Sequence, residues 1–340
     1  MHNKEDKIKI IAEVGVNHNG CIKSALRYIQ AAKDAGANAV KFQLFSSEKL
    51  VTSNAKTAQY QKSNTGTSKQ TELLNKLELS NHQIITLQNF AKKIKIDFIC
   101  TPFDIDSLKF LIKRKVSVIK LSSGDFDNLF MHEEIIKNNY PVILSSGMAD
   151  ESEIIKTLNI YKNNNHKNLS MLHCVSAYPA QLSVLNLQYI ARLSELFPKI
   201  KIGFSDHSTE ILTGALSVMV GAQIIEKHIT FSNNHVGPDH KASLTISNFK
   251  KYVSQIRLAE SALGAGEKTL SKTELDIKKI ARRSLAYSSD LKKGMKIQKS
   301  NLCSLRPNKG ISVMNYKKII NKKLKKNVNK NTLLKLSDFE

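Results

Sequence analysis

The chain has 340 residues, 41% hydrophobic and 24% charged, which is ordinary for a globular protein able to bury a large core. It contains no apolar run of about 20 residues, which excludes a transmembrane helix. The first ten residues, MHNKEDKIKI, lack the apolar segment of a signal peptide. We therefore expect a cytoplasmic protein with one large and one small domain.

The formal net charge of +23 raises the possibility of a nucleic-acid partner. However, the lysines are spread along the whole chain, and the densest basic run, 317–330, has no aromatic residues that would stack on bases. We expect a solvated basic surface, no nucleic-acid or membrane partner, and a positive field that attracts an anionic substrate.

The cysteines and several histidines carry little functional signal. The four cysteines form no CxxC pair, so we predict small buried hydrophobes rather than disulfides or zinc ligands. Four histidines fall in the N-terminus or in helical and loop stretches, where a solvent-facing position is expected. These residues are Cys21, Cys100, Cys174 and Cys303, and His2, His82, His132 and His166.

Short β-rich runs alternate with helical patterns such as 22–35 and 80–94. Eight strands alternating with helices over about 250 residues are typical of a (β/α)₈ TIM barrel. A doubly wound sheet is less suitable, because the first strand is followed by GVNHNG rather than GxGxxG. The predicted strands are 8–14, 38–43, 96–100, 117–122, 141–145, 169–174, 200–204 and 222–227.

The chain divides into three predicted parts. Residues 1–263 form the catalytic barrel, closed by a helix over 246–263, and residues 264–281 form a linker. Residues 282–340 form a small module of short strands and turns. The segment 46–79, between strands two and three, is long and polar, which is typical of a lid or binding loop.

Polar side chains stand at the carboxyl end of every predicted strand, where barrel enzymes place their active sites. Two cations and several hydroxyls among them suit a phosphate and a carboxylate. Two histidines at the ends of adjacent strands, each beside a carboxylate, could share one divalent metal. The first group is Lys41, Lys120, Ser123, Ser145 and Ser205; the second is His207 and His228 beside Asp206 and Glu226.

These strand ends resemble the sialic acid synthases, a family that includes the N-acetylneuraminate, legionaminic acid and pseudaminic acid synthases. The matching blocks cover essentially the whole chain, and residues 282–312 resemble the family's antifreeze-like (SAF) domain. The blocks are IAEVGVNHNG (11–20), VKFQ (40–43), TPFD (101–104), KLSSGD (120–125), LSSGM (144–148), LHCVSAYPA (172–180), IGFSDHS (202–208), IEKHITF (225–231) and GPDHKASL (237–244).

The resemblance implies that phosphoenolpyruvate condenses with N-acetylmannosamine or a related 2-acetamido sugar, with a legionaminic or pseudaminic precursor as the alternative. It implies a divalent metal, Mn²⁺ or else Mg²⁺ or Co²⁺, on His207 and His228. It also implies a domain-swapped homodimer in which Arg306 of the partner subunit contacts the sugar. The other implied residues are Glu13, Lys41, Lys120, Asp125 and Glu226 for catalysis, and Gln43, Thr101, Ser123, Ser145, Ser176, Tyr178, Ser205 and Asp239 for substrate binding.

Three positions depart from the family pattern and bear on the sugar. Asp125 stands where the neuraminate enzymes often have Glu, and Ser176 stands where Asn is frequent. The family's RPGNG turn is RPNKG at 306–310. All three leave the lysines and the histidines in place.

In the expected reaction, C3 of phosphoenolpyruvate attacks the metal-polarised aldehyde of the open-chain sugar, water adds at C2, and phosphate leaves. Lys41 and Lys120 would hold the anion, and Glu13 or Glu226 would orient the water or move a proton. Two other classes remain open. One is a metal-dependent barrel hydrolase, which would need further ligands. The other is a basic binding module without catalysis.

Overall fold

The computed structural model describes residues 7–52, 54–264 and 266–340. The chain divides into two compact units, Met1–Ala265 and Gly266–Glu340. Across the described ranges, no helix has both the length and the apolar character needed to cross a membrane.

The first unit is a closed parallel barrel, which confirms the predicted fold. Each strand pairs with the next in chain order, and β8 pairs with β1 to close the sheet. A ninth strand of two residues pairs in parallel with the last two residues of the eighth strand. The strands are β1 (Lys9–Gly15), β2 (Ala39–Leu44), β3 (Asp97–Pro102), β4 (Ile119–Leu121), β5 (Val142–Ser145), β6 (Leu169–Cys174), β7 (Lys201–Asp206), β8 (Ile224–Thr230) and β9 (Leu244–Thr245).

Helices cover the outside of the barrel. Several begin with capping boxes that satisfy the free amide groups of the first turn, as Ser80 and Gln83 do for α5. The barrel helices are α1 (Ile22–Asp34), α2 (Ser47–Leu50), α3 (Gln59–Thr65), α4 (Gln70–Asn75), α5 (Asn81–Lys93), α6 (Ile105–Lys113), α7 (Leu129–Lys137), α8 (Glu151–Asn163), α9 (Gln188–Leu196), α10 (Thr213–Met219) and α11 (Ile246–Leu263).

The two faces of each strand have different partners because successive side chains alternate across a strand. Outward residues such as Ile10 and Phe42 join the large core beneath the helices. Inward residues near the amino ends of the strands form a separate apolar cluster, which includes Ile11, Val118 and Ile224. The next inward positions along the same strands are polar. The barrel interior therefore changes from apolar to polar toward its carboxyl end.

The segment predicted as a lid or binding loop contains three short helices, α2 to α4. Leu73 and Leu77 of this segment pack against Val16 and Phe45, which precede it in the chain, and the four form a small buried apolar cluster. Thr57 hydrogen-bonds to the backbone of Thr67 and Ser68, which brings the two arms of the segment together. We call residues 46–79 the β2–α5 excursion.

The second unit is a small domain around one antiparallel strand pair. Its core is a nine-residue apolar cluster that includes Tyr287, Leu324 and Phe339. The buried carboxylate of Asp338 accepts hydrogen bonds from the Tyr287 hydroxyl and the Lys335 amide. The bounds are α12 (Lys272–Ala281), β10 (Ser284–Tyr287) and β11 (Leu302–Leu305). Thus α12 lies within the stretch 264–281 that was predicted as a linker.

Some predictions about single residues were wrong. His132 and His166 are buried rather than solvent-facing. His132 lies on the inner face of α7 and contacts the Tyr161 hydroxyl at 2.7 Å and the Phe126 carbonyl at 2.9 Å. All four cysteines are free, but Cys21 is exposed and Cys303 only half-buried. His82 is exposed as predicted, and His2 lies outside the described residues.

Candidate active site

A cavity of about 660 Å³ opens at the carboxyl ends of the barrel strands. Every predicted site residue of the barrel lines it, so side chains from all eight strand ends converge as the sequence pattern indicated. They are Glu13, Lys41, Gln43, Thr101, Lys120, Ser123, Asp125, Ser145, Ser176, Tyr178, Ser205, His207, Glu226, His228 and Asp239.

Two buried lysines occupy the floor of this cavity. Lys41 Nζ lies 3.2 Å from Glu13 Oε1, 3.6 Å from Glu226 Oε1 and 3.2 Å from Thr101 Oγ1. Lys120 Nζ donates to Ser145 Oγ at 2.6 Å and lies 3.8 Å from Glu226 Oε1. The carboxylates therefore offset both cations in the free protein, and the hydroxyls add donors for an anion.

The register of the barrel brings these groups together. Glu13 pairs directly with Lys41 on β2 and with His228 on β8. Ser205 on β7 pairs with Glu226 on β8 and donates to its Oε1 at 3.0 Å. Because these residues occupy inward positions of neighbouring strands, their side chains meet inside the barrel.

The pKa values of the Glu13 and Glu226 carboxyl groups are shifted in opposite directions. Burial raises the pKa of Glu13 to about 7, although Lys41 acts in the opposite direction. Burial would also raise the pKa of Glu226, but Lys120 and Lys41 outweigh it and lower that pKa to about 2. Burial lowers the pKa of Lys120, only partly countered by Glu226. Carboxyl groups whose pKa values are separated in this way can divide acid–base work between them.

Two histidines stand beside this floor, with ring centroids 5.5 Å apart. His207 Nδ1 donates to the Val175 carbonyl at 2.8 Å, which leaves the lone pair on Nε2. Among the described residues, His228 Nδ1 is buried without a hydrogen-bond partner, and it lies 4.0 Å from Asp239 Oδ2. The pair therefore offers two imidazole nitrogens to a cation.

Buried oxygens near the histidines are also unpartnered. Within the described part of the chain, Glu13 Oε2 and Glu226 Oε2 have no hydrogen-bond partner. Nevertheless, within the described ranges no group of three or more His, Cys, Asp or Glu residues converges at metal-binding distance. A metal on this site would need water or substrate to complete its coordination.

A buried ion pair joins the strands that carry the two histidines. Lys227 Nζ lies 2.9 Å from Asp206 Oδ2, and both side chains are 0% exposed. Each residue immediately precedes a histidine, so it points outward while the histidine points inward. Asp206 also accepts from the Tyr252 and Thr213 hydroxyls. We call this pair the β7–β8 clamp, because it holds the ends of β7 and β8 together.

Asp125 and Ser176, two of the positions that depart from the family pattern, both line the cavity but make different contacts. The Asp125 carboxylate accepts from Ser122 Oγ at 2.9 Å and Asn128 Nδ2 at 3.0 Å, so it holds the turn after β4. Ser176 lies against Gly147, where an added Cβ would be 2.3 Å from Ser176 Oγ. Only glycine fits at position 147 without displacing Ser176.

The sequence analysis missed several residues that line the cavity, among them Tyr60, Gln61 and Cys174. Tyr60 and Gln61 come from α3 in the β2–α5 excursion. The polar composition of this segment predicted a lid or binding loop but did not indicate which of its residues reach the cavity. Cys174 was interpreted as a packed hydrophobe, but its Sγ lies 3.7 Å from His207 Nδ1 and 3.8 Å from Ser123 Oγ. Its place at the end of β6, directly after His173, was the available signal.

Arg306 belongs to the second unit and is exposed on its surface, directly after β11. Its predicted contact with the sugar in the barrel of the partner subunit stays a prediction.

Comparison with known proteins finds similar chains over almost the whole length of this one. An N,N'-diacetyllegionaminic acid synthase of Campylobacter jejuni is 40% identical over 332 residues, covering 97% of this chain and 99% of that protein. A pseudaminic acid synthase of the same species is 33% identical, covering 99% of this chain and 98% of that protein. The crystal structure of an N-acetylneuraminic acid synthetase from Leptospira borgpetersenii, in complex with citrate, is 33% identical with a TM-score of 0.71. That match covers 79% of this chain and 90% of the synthetase chain.

The family assignment follows from the matched regions. Residues 28–268 match the NeuB family, and residues 282–340 match the SAF domain. The chain therefore belongs to the NeuB family and ends in a SAF domain.

Proposed function

We propose that this protein condenses phosphoenolpyruvate with a hexose that carries two acetamido groups, and so makes N,N'-diacetyllegionaminic acid or a close relative. The observation that carries the proposal is the pair of buried lysines, Lys41 and Lys120, in one cavity with His207 and His228. The lysines suit a small substrate with a phosphate and a carboxylate. The histidines suit a metal ion that would polarise the aldehyde of a sugar.

The chain's own groups supply positions for each part of the reaction. A bond forms between C3 of phosphoenolpyruvate and the aldehyde carbon, and the aldehyde oxygen takes up a proton to become a hydroxyl. Water adds to C2 and loses a proton. The C2–O bond to phosphate then breaks as the new C2 hydroxyl becomes the carbonyl and its proton passes to the departing phosphate. Lys41 and Lys120 stabilise the anionic groups throughout. Glu13, whose Oε2 is unpartnered among the described residues and whose pKa is about 7, carries the proton lost by water.

The residues present fit a divalent cation. His207 Nε2 has its lone pair free of the Val175 bond, and His228 Nδ1 has no hydrogen-bond partner among the described residues. We propose that these two imidazoles hold the metal, with Mn²⁺ as the first choice. When bound, the cation would supply a Lewis acid for the aldehyde.

The relatives and the cavity wall together favour the diacetamido sugar over N-acetylmannosamine. The relative named for N,N'-diacetyllegionaminic acid is 40% identical over almost the whole chain, against 33% for the relative named for pseudaminic acid. In addition, the β2–α5 excursion gives one side of the cavity an apolar lining, suited to acetamido methyl groups. This lining includes Leu50, Val51, Leu73, Leu74 and Leu77.

The direct test is phosphate release from phosphoenolpyruvate with N-acetylmannosamine or a diacetamido hexose, before and after EDTA. We expect the higher kcat/KM with the diacetamido sugar, loss of turnover with EDTA, and recovery with Mn²⁺. Absence of phosphate release with every 2-acetamido sugar would contradict the condensation. Full activity of the wild type after EDTA treatment, or full activity of His207→Ala, would contradict the metal role.

We also propose a homodimer in which Arg306 of the partner subunit completes each cavity. Chains with Lys120→Met and chains with Arg306→Ala are unfolded, mixed and refolded together. In swapped dimers about a quarter of all cavities then carry both wild-type residues, so activity returns. If Arg306 served its own barrel, or served no site, the mixture would be no more active than the sum of its parts.

A further inference from the structure

The β2–α5 excursion crosses the mouth of the barrel. It begins after β2, and its helix α3 contacts Tyr178 in the loop after β6 and Pro238 in the loop after β8. Strands β2 and β6 are four places apart in a ring of eight, so they lie on opposite sides of the mouth. The excursion therefore brings side chains from one side of the cavity to the other.

One hydrogen bond and one aromatic contact fix α3 in this position. Asn64 Nδ2 donates to the Pro238 carbonyl at 2.9 Å, immediately before Asp239. The Tyr60 ring stacks on Tyr178, with centroids 5.4 Å apart and an interplanar angle of 18°. The first contact is thus adjacent to Asp239 and the second reaches Tyr178, and both of these residues were assigned to the sugar.

Tyr60 extends an aromatic stack that starts at the candidate metal site. Tyr178 stacks in turn on His207, with centroids 4.2 Å apart and an angle of 30°. The three rings therefore form a continuous series from His207 outward to the excursion. Tyr60 and Asp239 both line the cavity, so the stack ends beside the residues assigned to the sugar.

We propose that Tyr60 is a sugar-binding residue that determines which acylated amino sugar the protein accepts. This inference rests on the proposed condensation. With the aldehyde at the histidines, the remaining carbons of the sugar extend along the Tyr178 and Tyr60 rings. Aromatic faces bind C–H groups and acetamido methyl groups well and bind exposed hydroxyls poorly. Tyr60 thus favours the sugar with the second acetamido group.

The test compares substitutions that keep or remove the ring. Tyr60→Ala should raise the KM for the sugar about tenfold while the KM for phosphoenolpyruvate changes less than about twofold. Tyr60→Phe keeps the ring and should stay within about twofold of the wild type for both substrates. Gln59→Ala, an exposed position on the same helix, is the matched control. Thermal unfolding of each variant checks that the fold is retained.

A second readout is the preference between sugars. The ratio of kcat/KM for a diacetamido hexose to that for N-acetylmannosamine should fall several-fold in Tyr60→Ala and stay constant in Tyr60→Phe. An unchanged sugar KM in Tyr60→Ala, or a parallel rise in the KM for phosphoenolpyruvate, would overturn the proposal. So would an equal loss in Tyr60→Phe, because that variant keeps the stacking ring.

The two proposals fail in different ways. If the wild type turns over another 2-acetamido sugar best, the proposed substrate is wrong, but the KM test of Tyr60 applies to that sugar. If the wild type turns over the diacetamido sugar and Tyr60→Ala does so equally well, only the role of Tyr60 is wrong.

Discussion

Lysine side chains stand at both ends of the barrel, and their surroundings differ. At the carboxyl end, Lys41 and Lys120 are buried among carboxylates and hydroxyls. At the amino end, Lys7, Lys167 and Lys199 precede their strands and are exposed. Burying a charge is costly unless partners compensate it, whereas an exposed lysine costs little. The net charge of the chain therefore says less about function than the few lysines that are buried.

The interior of the barrel shows the same contrast. Its amino end is filled by apolar side chains such as Ile11 and Ile224. Two residues further along the same strands stand Glu13 and Glu226. The apolar layer provides a stable base, and the polar layer above it forms the site. Substitutions at the two ends test this distinction.

The largest effect is expected at the β7–β8 clamp. Lys227→Met leaves the fully buried Asp206 carboxylate without its cation, which should lower the free energy of unfolding by roughly 3–5 kcal/mol. The double variant Asp206→Leu/Lys227→Met removes both charges and should recover part of the loss. Urea denaturation measures both changes.

The matched control for the clamp is the exposed pair at the amino end. Lys9 Nζ lies 2.9 Å from Asp97 Oδ2, with side chains 32% and 54% exposed. Because solvent screens this pair, Lys9→Met should cost about 1 kcal/mol or less. Equal losses for Lys227→Met and Lys9→Met would mean that burial does not distinguish the two ends.

The next effect is on catalysis. Lys120→Met removes a cation that donates to Ser145 and faces Glu226, and kcat/KM should fall about 10²–10³-fold. Lys199→Met at the exposed amino end should leave kcat/KM within about twofold of the wild type. Steady-state phosphate release measures both. A comparable loss in Lys199→Met would show that the overall positive field, rather than the buried lysines, governs turnover.

The smallest effect is expected from Gly147→Ala at the cavity. The new Cβ would lie 2.3 Å from Ser176 Oγ and 2.6 Å from Ser123 Oγ, so one or both serines must move. We expect a several-fold rise in substrate KM and a loss of stability of about 1–3 kcal/mol. Gly124→Ala is the control, because its Cβ would meet its nearest neighbour at an ordinary 3.6 Å. Unchanged kinetics in Gly147→Ala would show that these serines do not position substrate.

Much of the fold was predictable because its signals are local. Each of the eight strands is a short β-rich run followed by a helical pattern, and all eight predicted strands are present. The site was predictable for a related reason. Parallel strands place their carboxyl ends on one face, so polar residues at the ends of different strands must meet.

Other features depended on contacts that a linear pattern does not show. His132 was predicted to face solvent because it falls in a helical or loop stretch, but it contacts the Tyr161 hydroxyl and the Phe126 carbonyl in the interior. The sequence analysis gave Lys227 no role, yet Asp206 and the backbone of Ser208 satisfy it in the interior. In both cases the partner is distant in sequence, and only packing reveals it.

The barrel and the convergence of two lysines and two histidines at one face were predictable from the sequence, because they follow from strand periodicity and from residues at strand ends. The SAF domain was predictable only from the resemblance of residues 282–312 to that domain. Only the tertiary structure decided that Tyr60 reaches across the mouth to Tyr178 and that Asp206 and Lys227 join β7 to β8. Such contacts join segments far apart in the chain, and their energy depends on burial and distance, which composition and spacing do not contain.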